Sequence, residues 1–329
     1  MALRVLFLGG TGIISSACAA LAVERGLDLT VLNRGGTSAK RPLPDGVRTL
    51  TADARDPGEL RKALEDEEFD VVVDFVAFTT EHVAADVETF RDRTGQYVFI
   101  SSASAYQKPV GHLPITESTP LANPFWQYSR DKIACEELLT AAYRDTGFPA
   151  VVVRPSHTYD RTSLPVDGGW TIVDRMRRGK PVVVPGDGTS LWVLTHHTDF
   201  AKGFVPLLGE PAATGGAVHI TGDEVLTWDR IHRDLAAAAG VRDPKLVHVP
   251  SDAIAADDPV RGAGLLGDKA HSVIFDNTKL KRLVPGFTAT TTFAQGAREI
   301  VAHHDAHPEL AVVDPDVDAR QDRLVERWG

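Results

Sequence analysis

The segment Arg4-Val-Leu-Phe-Leu-Gly-Gly-Thr-Gly-Ile-Ile-Ser15 constrains this chain more than any other stretch. Val5 to Leu8 are apolar, Gly9-Gly10-Thr11-Gly12 breaks the run, and Ile13 to Leu21 carries apolar residues at helical spacing. The pattern predicts a buried strand, a tight turn and a helix. At such a turn the backbone N–H groups and the positive end of the helix macrodipole converge on one point, where a diphosphate can rest if no Cβ stands in the way. Gly9 and Gly12 give that clearance, with Thr11, Ile13 and Ile14 beside them, while the third glycine of the usual dinucleotide pattern is Ser15. A glycine-rich turn that binds nothing is the competing reading of this motif taken alone.

The next segments of the chain favour the dinucleotide. Asp28 to Asn33 reads as a second buried strand, and an acid at its end would hydrogen-bond an adenosine ribose. Asn33-Arg34 stands there instead, with Lys40 and Arg41 nearby, so NADP is favoured slightly over NAD. Val47 to Leu50 is a short third strand leading to Asp53 and Ala54 on the adenine side, and Glu59 to Glu67 an amphipathic helix. Phe69 to Phe78 is a fourth strand, too continuously apolar for a one-sided sheet, whose end brings Val76 and Ala77 along the cofactor. A helix over 81–92 comes next, then a strand from Gln96 to Ile100 that ends in Ser101-Ser-Ala-Ser-Ala-Tyr106. Strands alternating with helices over 150 residues predict an α/β fold: a Rossmann-type, doubly wound parallel sheet.

The alternation lapses after Ser156. Helices over Trp170 to Arg178, Thr198 to Leu208, Thr227 to Ala239 and Phe293 to His304, with strands at 216–220, 246–249 and 273–275, predict a smaller α/β substrate-binding lid. The expected division is a dinucleotide domain over 1–155, rejoined by 189–221, and a substrate domain made of 156–188 and 222–329. The tail from Asp314 reads as a solvated helix docked by Leu324 and Trp328.

Composition excludes several classes. The 329 residues carry 35 Lys plus Arg against 45 Asp plus Glu, a net charge of −10 with no basic stripe, which argues against nucleic-acid binding. Cys18 and Cys135, both in apolar helical patterns, fit a reducing compartment. No apolar run approaches membrane-spanning length, so a soluble, cytoplasmic protein is expected. His196-His197 with Asp199, and His303-His304 with His307, invite a metal reading, but neither has a paired Glu at catalytic spacing, and no metal is expected.

Tyr128-Ser-Arg-Asp-Lys132 opens a helical segment from Tyr128 to Arg144. Four residues make about one turn, so Tyr128 and Lys132 share a face, and an ammonium near a phenol favours the phenolate. A hydroxyl from Ser102 could hold a substrate oxygen against Tyr128. With the glycine turn and the serine-rich strand end, this motif resembles the short-chain dehydrogenase/reductase superfamily, in its extended branch of NAD(P)-dependent epimerases and dehydratases. The resemblance implies Ser102, Tyr128 and Lys132 as catalytic residues, with Lys132 also on the nicotinamide ribose. It implies Pro155 beside the nicotinamide and His157 facing substrate, with Ser104 and Trp192 as further substrate contacts. The Gly-Gly-Thr-Gly-Ile-Ile-Ser turn looks most like atypical members of the branch, among them chloroplast stem-loop-binding proteins linked to RNA.

Departures from the family narrow the reaction. Ala103 and Ser104 stand where dehydratases of this branch carry a carboxylate, which leaves reversible hydride transfer at a secondary alcohol. The places of two phosphate-binding arginines fall on Trp192 and Leu265, so a nucleotide-diphosphate sugar is disfavoured unless Lys269, Arg261 or His271 substitutes. The expectation is an NAD(P)-dependent oxidoreductase or epimerase of a sugar-like small molecule, with a homodimer possible through the Tyr128 helix. The alternatives are an NADPH-dependent reductase of a non-sugar ketone and a non-catalytic, RNA-binding or regulatory protein.

Overall fold

The computed structural model describes residues 2–35, 40–65 and 67–329. Strands β1 (Arg4–Leu8), β2 (Asp28–Asn33), β3 (Arg48–Thr51), β4 (Phe69–Asp74), β5 (Thr94–Ile100) and β6 (Ala150–Pro155) form one parallel sheet, with Ala217–Ile220 at its far edge. The order is Ala217–Ile220, β6, β5, β4, β1, β2, β3. The chain thus begins in the middle, runs to one edge, then crosses back and builds the other half. Its direction reverses between β1 and β4, and the carboxyl ends of those strands open the crevice where such sheets take ligands.

β1 explains the layering. Val5 and Phe7 point to one face, where they pack with Cys18 and Ala19 of helix α1 (Ile13–Glu24) and with Phe200 and Phe204 of the helix His197–Phe204. Leu6 and Leu8 point to the other, against α2 (Pro57–Leu64), α3 (Thr80–Phe90) and α4 (Gln127–Thr146) through Leu60, Val83, Cys135 and Leu139. Period-two alternation between two covered faces is why the strands read as unbroken apolar runs.

Several boundaries differ from the sequence reading. The helix expected over Glu59 to Glu67 starts and stops earlier: Asp56 caps it by accepting the N–H groups of Gly58 and Glu59 at 2.8 and 3.0 Å, and Pro57 needs no partner in the first turn. Glu67 instead pairs with Arg48 of β3, and Asp66 lies outside the described residues. β4 stops at Asp74 rather than Phe78, because the Asp74 carboxylate accepts the N–H groups of Val76 at 2.6 Å and Ala77 at 2.8 Å and turns the chain. The segment 273–275 forms no strand; Phe275 makes a single bridge to Ile115.

A separate apolar cluster gathers Trp170, Trp192, Trp228, Ile231, Phe293 and Ile300 beneath the crevice mouth. Thr227 caps the helix Trp228–Ala238 by accepting the Arg230 N–H at 3.1 Å. The C-terminal helix Pro315–Trp328 docks through Leu324, and through more of its face than expected. Val317, Arg320, Gln321 and Leu324 are buried, and the fully buried Arg175 holds Asp318 at 2.5 Å, whereas Trp328 is 40% exposed.

Candidate active site

The glycine turn sits at the carboxyl end of β1. Gly9 has φ +81°, and a Cβ there would lie 2.7 Å from Val76 Cγ1; at Gly10 it would lie 2.6 Å from Val31 Cγ1. Only glycine fits either position. A Cβ at Gly12 would meet nothing closer than Ser15 Oγ at 3.2 Å, so the side toward the crevice is clear. The Ser15 hydroxyl accepts the Gly12 N–H at 2.9 Å, so the residue in the third glycine's place caps α1. The turn has room and N–H groups for a diphosphate, with Thr11, Ile13 and Ile14 at its side.

At the end of β2, Asn33 accepts the Gly35 N–H at 2.9 Å through its side-chain oxygen, and Arg34 is exposed. Arg41 does not join them. Its guanidinium pairs with Asp160 at 2.5 Å and donates to Thr162 at 2.6 Å, across 119 and 121 residues of sequence. Asp53 uses one carboxylate oxygen to accept the Arg55 N–H at 2.8 Å, and Ala54 beside it is buried.

Behind Val76 and Ala77 lies a buried charge network that the sequence reading missed. Arg55 donates to Asp74 at 2.8 Å, and the Tyr97 hydroxyl donates to Asp86 at 2.7 Å. Burial pushes the Asp86 carboxyl up, reinforced by the neighbouring Asp74 charge; Asp74 is held down by its hydrogen bonds and Arg55 against the desolvation it suffers. An acid closing the apolar run Val71-Val-Val-Asp74 was the available signal, since a carboxylate so placed must be paired.

Tyr128 and Lys132 lie one turn apart near the start of α4 and, with Ser102, line a cavity of about 370 Å³ at the strand ends. Lys132 is buried and donates to the carbonyl oxygens of Ala77 and Ile100, both at 2.7 Å. Burial pushes its ammonium down to about 8. Ser104, expected to face substrate, is itself buried: its hydroxyl lies 2.9 Å from that of Ser102 and accepts from Ser129 at 2.8 Å. It orients Ser102 against α4. The Tyr128 phenol is raised by burial, opposed by the facing Ser102 hydroxyl and reinforced by Asp268. This departs from the expected lowering by Lys132, whose ammonium sits 5.8 Å from the ring centroid and is engaged by two carbonyls.

The opposite wall carries Pro155, His157, Trp192, Asp268 and Lys269. Trp192 does not present an open aromatic face. It is 2% exposed, stacks on Trp228 at 5.4 Å, and donates its indole N–H to His157 Nδ1 at 3.2 Å. An indole nitrogen can only donate, so His157 accepts at Nδ1 and carries its proton on Nε2. Burial and the Lys269 charge push His157 down to about 3, so it stays neutral. Asp268 and the buried Lys108, 3.5 Å apart, were not foreseen; Asp268 is a carboxylate near Tyr128 supplied by the wall rather than by the residues after Ser102.

The histidine clusters have other roles. His196 contacts Thr198 at 2.7 Å and Glu299 at 3.1 Å, Asp199 accepts the N–H groups of Thr290 and Thr291, and His304 stacks on Trp170 at 4.7 Å. No described helix is long and apolar enough to cross a membrane.

Comparison with known proteins gives the family and the fold. Residues 5–220 match the NAD dependent epimerase/dehydratase family. The 2'-dehydrokanamycin reductase of Streptomyces kanamyceticus is 31% identical over 299 residues, 87% of this chain and 80% of that protein. The chloroplast stem-loop binding protein of 41 kDa b of Arabidopsis thaliana is 27% identical over 256 residues, 74% of this chain and 65% of that protein. The UDP-glucose 4-epimerase of Thermus thermophilus in complex with NAD superposes with a TM-score of 0.73 at 23% identity, covering 93% of this chain and 100% of that one. That likeness speaks for the fold, while the match over residues 5–220 and the reductase speak for descent: the chain belongs to the NAD dependent epimerase/dehydratase family and is an enzyme of the extended short-chain dehydrogenase/reductase type.

Proposed function

We propose that the protein catalyses net hydride transfer at a secondary alcohol or ketone of a sugar-like substrate that carries no diphosphate, working as an NADPH-dependent reductase. The observation that carries the reading is the meeting of Tyr128, Ser102 and Lys132 in one cavity beside a glycine turn cleared for a diphosphate. The relative whose name describes reduction of 2'-dehydrokanamycin supports reduction over epimerisation. Gly9, Thr11, Gly12, Ile13 and Ile14 would hold the dinucleotide phosphates, Asn33 and Arg34 the adenosine ribose, Asp53 and Ala54 the adenine, and Val76, Ala77, Lys132 and Pro155 the nicotinamide end. When bound, the dinucleotide supplies the hydride. Ser102 holds the carbonyl oxygen, and the Tyr128 phenol donates a proton to it as the alcohol forms. Lys132, fixed on Ala77 and Ile100, keeps one N–H free for the nicotinamide ribose and lends positive charge to the phenol side of the cavity. His157 offers a neutral Nε2–H to a neighbouring substrate oxygen.

The test is product analysis with a dehydro-glycoside and 4-deuterated NADPH. One equivalent of cofactor consumed, with deuterium on the carbinol carbon, is expected. Catalytic cofactor with an inverted centre would mean epimerisation. Salt-sensitive RNA binding without turnover would mean the non-catalytic alternative.

The same residues set cofactor choice and pH dependence. Arg34→Ala raises KM for NADPH about tenfold, the size of one charge-assisted hydrogen bond, and leaves KM for NADH unchanged. Steady-state assays with both cofactors check it; equal effects would remove Arg34 from the site. Reduction needs both the phenol and the ammonium protonated. The raised Tyr128 phenol keeps its proton, while Lys132 loses its own as pH rises through about 8. The kcat/KM for reduction is therefore flat through neutral pH and falls above about 8, and a profile still rising at pH 9 contradicts the assignment.

A further inference from the structure

A second cavity of about 330 Å³ adjoins the first, sharing Trp126, His157 and Lys269 as common wall. That volume is in the range that holds one small ligand. Its floor is apolar, with Leu164, Val166, Ile254, Leu265 and Leu324 beside Trp228. Two arginines stand at its rim, and both are paired. Arg261 reaches Asp167 at 2.9 Å and Asp258 at 3.4 Å, and Arg320 reaches the same two carboxylates at 2.5 and 3.2 Å. The four charges cancel within the cluster. The other cation on this wall among the described residues is Lys269, whose ammonium lies 5.4 Å from the Trp126 ring centroid, at the junction of the two cavities. His232 gives its Nδ1 to the Trp228 carbonyl at 2.8 Å and adds no charge toward the floor.

A group entering here meets apolar surface, two aromatic rings and a rim with no net charge. A nucleoside diphosphate brings at least two negative charges and would find both rim arginines already neutralised by Asp167 and Asp258, leaving Lys269 alone to balance it, a poor exchange for its hydration. We infer that this outer cavity is a subsite for an uncharged ring carried by the same substrate whose ketone is reduced in the inner cavity, and that it excludes nucleotide-diphosphate sugars. The inference rests on the reductase reading for which part of the substrate lies inside; the binding preference itself is measured without turnover. The Asp167 carboxylate, shared by two arginines, is then a specificity-determining group that keeps the rim neutral.

Isothermal titration calorimetry with the whole protein, using 4-nitrophenyl β-glucoside and uridine diphosphate as probes, tests it. The glycoside is expected to bind at least about tenfold more tightly than uridine diphosphate. Asp167→Asn, at an exposed rim position, frees positive charge and raises uridine diphosphate affinity about tenfold without changing that of the glycoside. Leu265→Arg, on the cavity wall, does the same for uridine diphosphate and weakens the glycoside. Tighter binding of uridine diphosphate by the unsubstituted protein, no binding of either probe, or an Asp167→Asn variant with unchanged preference each overturns the inference. Tyr128→Phe protein should bind both probes as the unsubstituted protein does. The expected preference without ketone reduction therefore removes only the reductase reading, and reduction without the preference removes only the subsite.

Discussion

Tyr128→Phe lowers kcat for ketone reduction by about two to four orders of magnitude, the usual worth of a positioned general acid, and leaves dinucleotide affinity unchanged. The ring stays: its packing against Trp126, with centroids 4.8 Å apart, does not use the hydroxyl. What disappears is the proton donor at the inner cavity. Pre-steady-state mixing separates the hydride step from product release, and fluorescence titration with NADPH reads binding. Loss of both turnover and cofactor affinity would assign Tyr128 a structural role, and retained turnover would remove it from the chemistry altogether.

Arg154→Met destabilises the protein by about 3–5 kcal/mol, because it leaves a carboxylate buried without its counter-charge. Arg154 of β6 donates to Glu136 of α4 at 3.0, 3.2 and 2.5 Å, both side chains are about 5% exposed, and Ser101 also donates to Glu136. The pair is the polar rivet between the catalytic helix and the sheet, one turn below Lys132. Urea unfolding measures the loss, and the double variant Glu136→Leu with Arg154→Met should recover most of it, since replacing both charges removes the orphaned carboxylate. A double variant no more stable than the single one would show that the pair contributes more than mutual neutralisation. Slower catalysis at unchanged cofactor affinity would report that α4 had shifted under Tyr128.

The sheet was legible because its information is local. A covered parallel strand is an apolar run, and the turn after β1 is a string of glycines whose clearance for a diphosphate can be anticipated without knowing the neighbours, whereas their crowding by Val31 and Val76 cannot. Tyr128 and Lys132 share one helix, so their spacing alone brings them together. The features that stayed hidden depend on partners far along the chain. Arg41 looked like a phosphate cation until Asp160 claimed it, and Arg261 looked available until Asp167 and Asp258 did. Trp192 looked like a platform for a ring, and the packing of Trp228 over it turned it into a support for His157. Asp268 could not be put beside Tyr128 from the sequence, since 140 residues separate them. For Arg41, Arg261 and Trp192 the side-chain chemistry was legible and the partner was not, because pairing between distant segments leaves no periodic trace.

The seventh strand has a consequence for how the molecule is made. Ala217–Ile220 covers the edge of β6, yet the chain reaches it only after laying down the segment that carries His157 and Trp192. A nascent polypeptide that has emerged no further than Pro155 holds Val151, Val152 and Val153 on an open margin, a template for strands from other chains. The sheet is thus closed by a strand drawn from beyond that segment, and a chain cut between Pro155 and Ala217 leaves β6 without its outer neighbour.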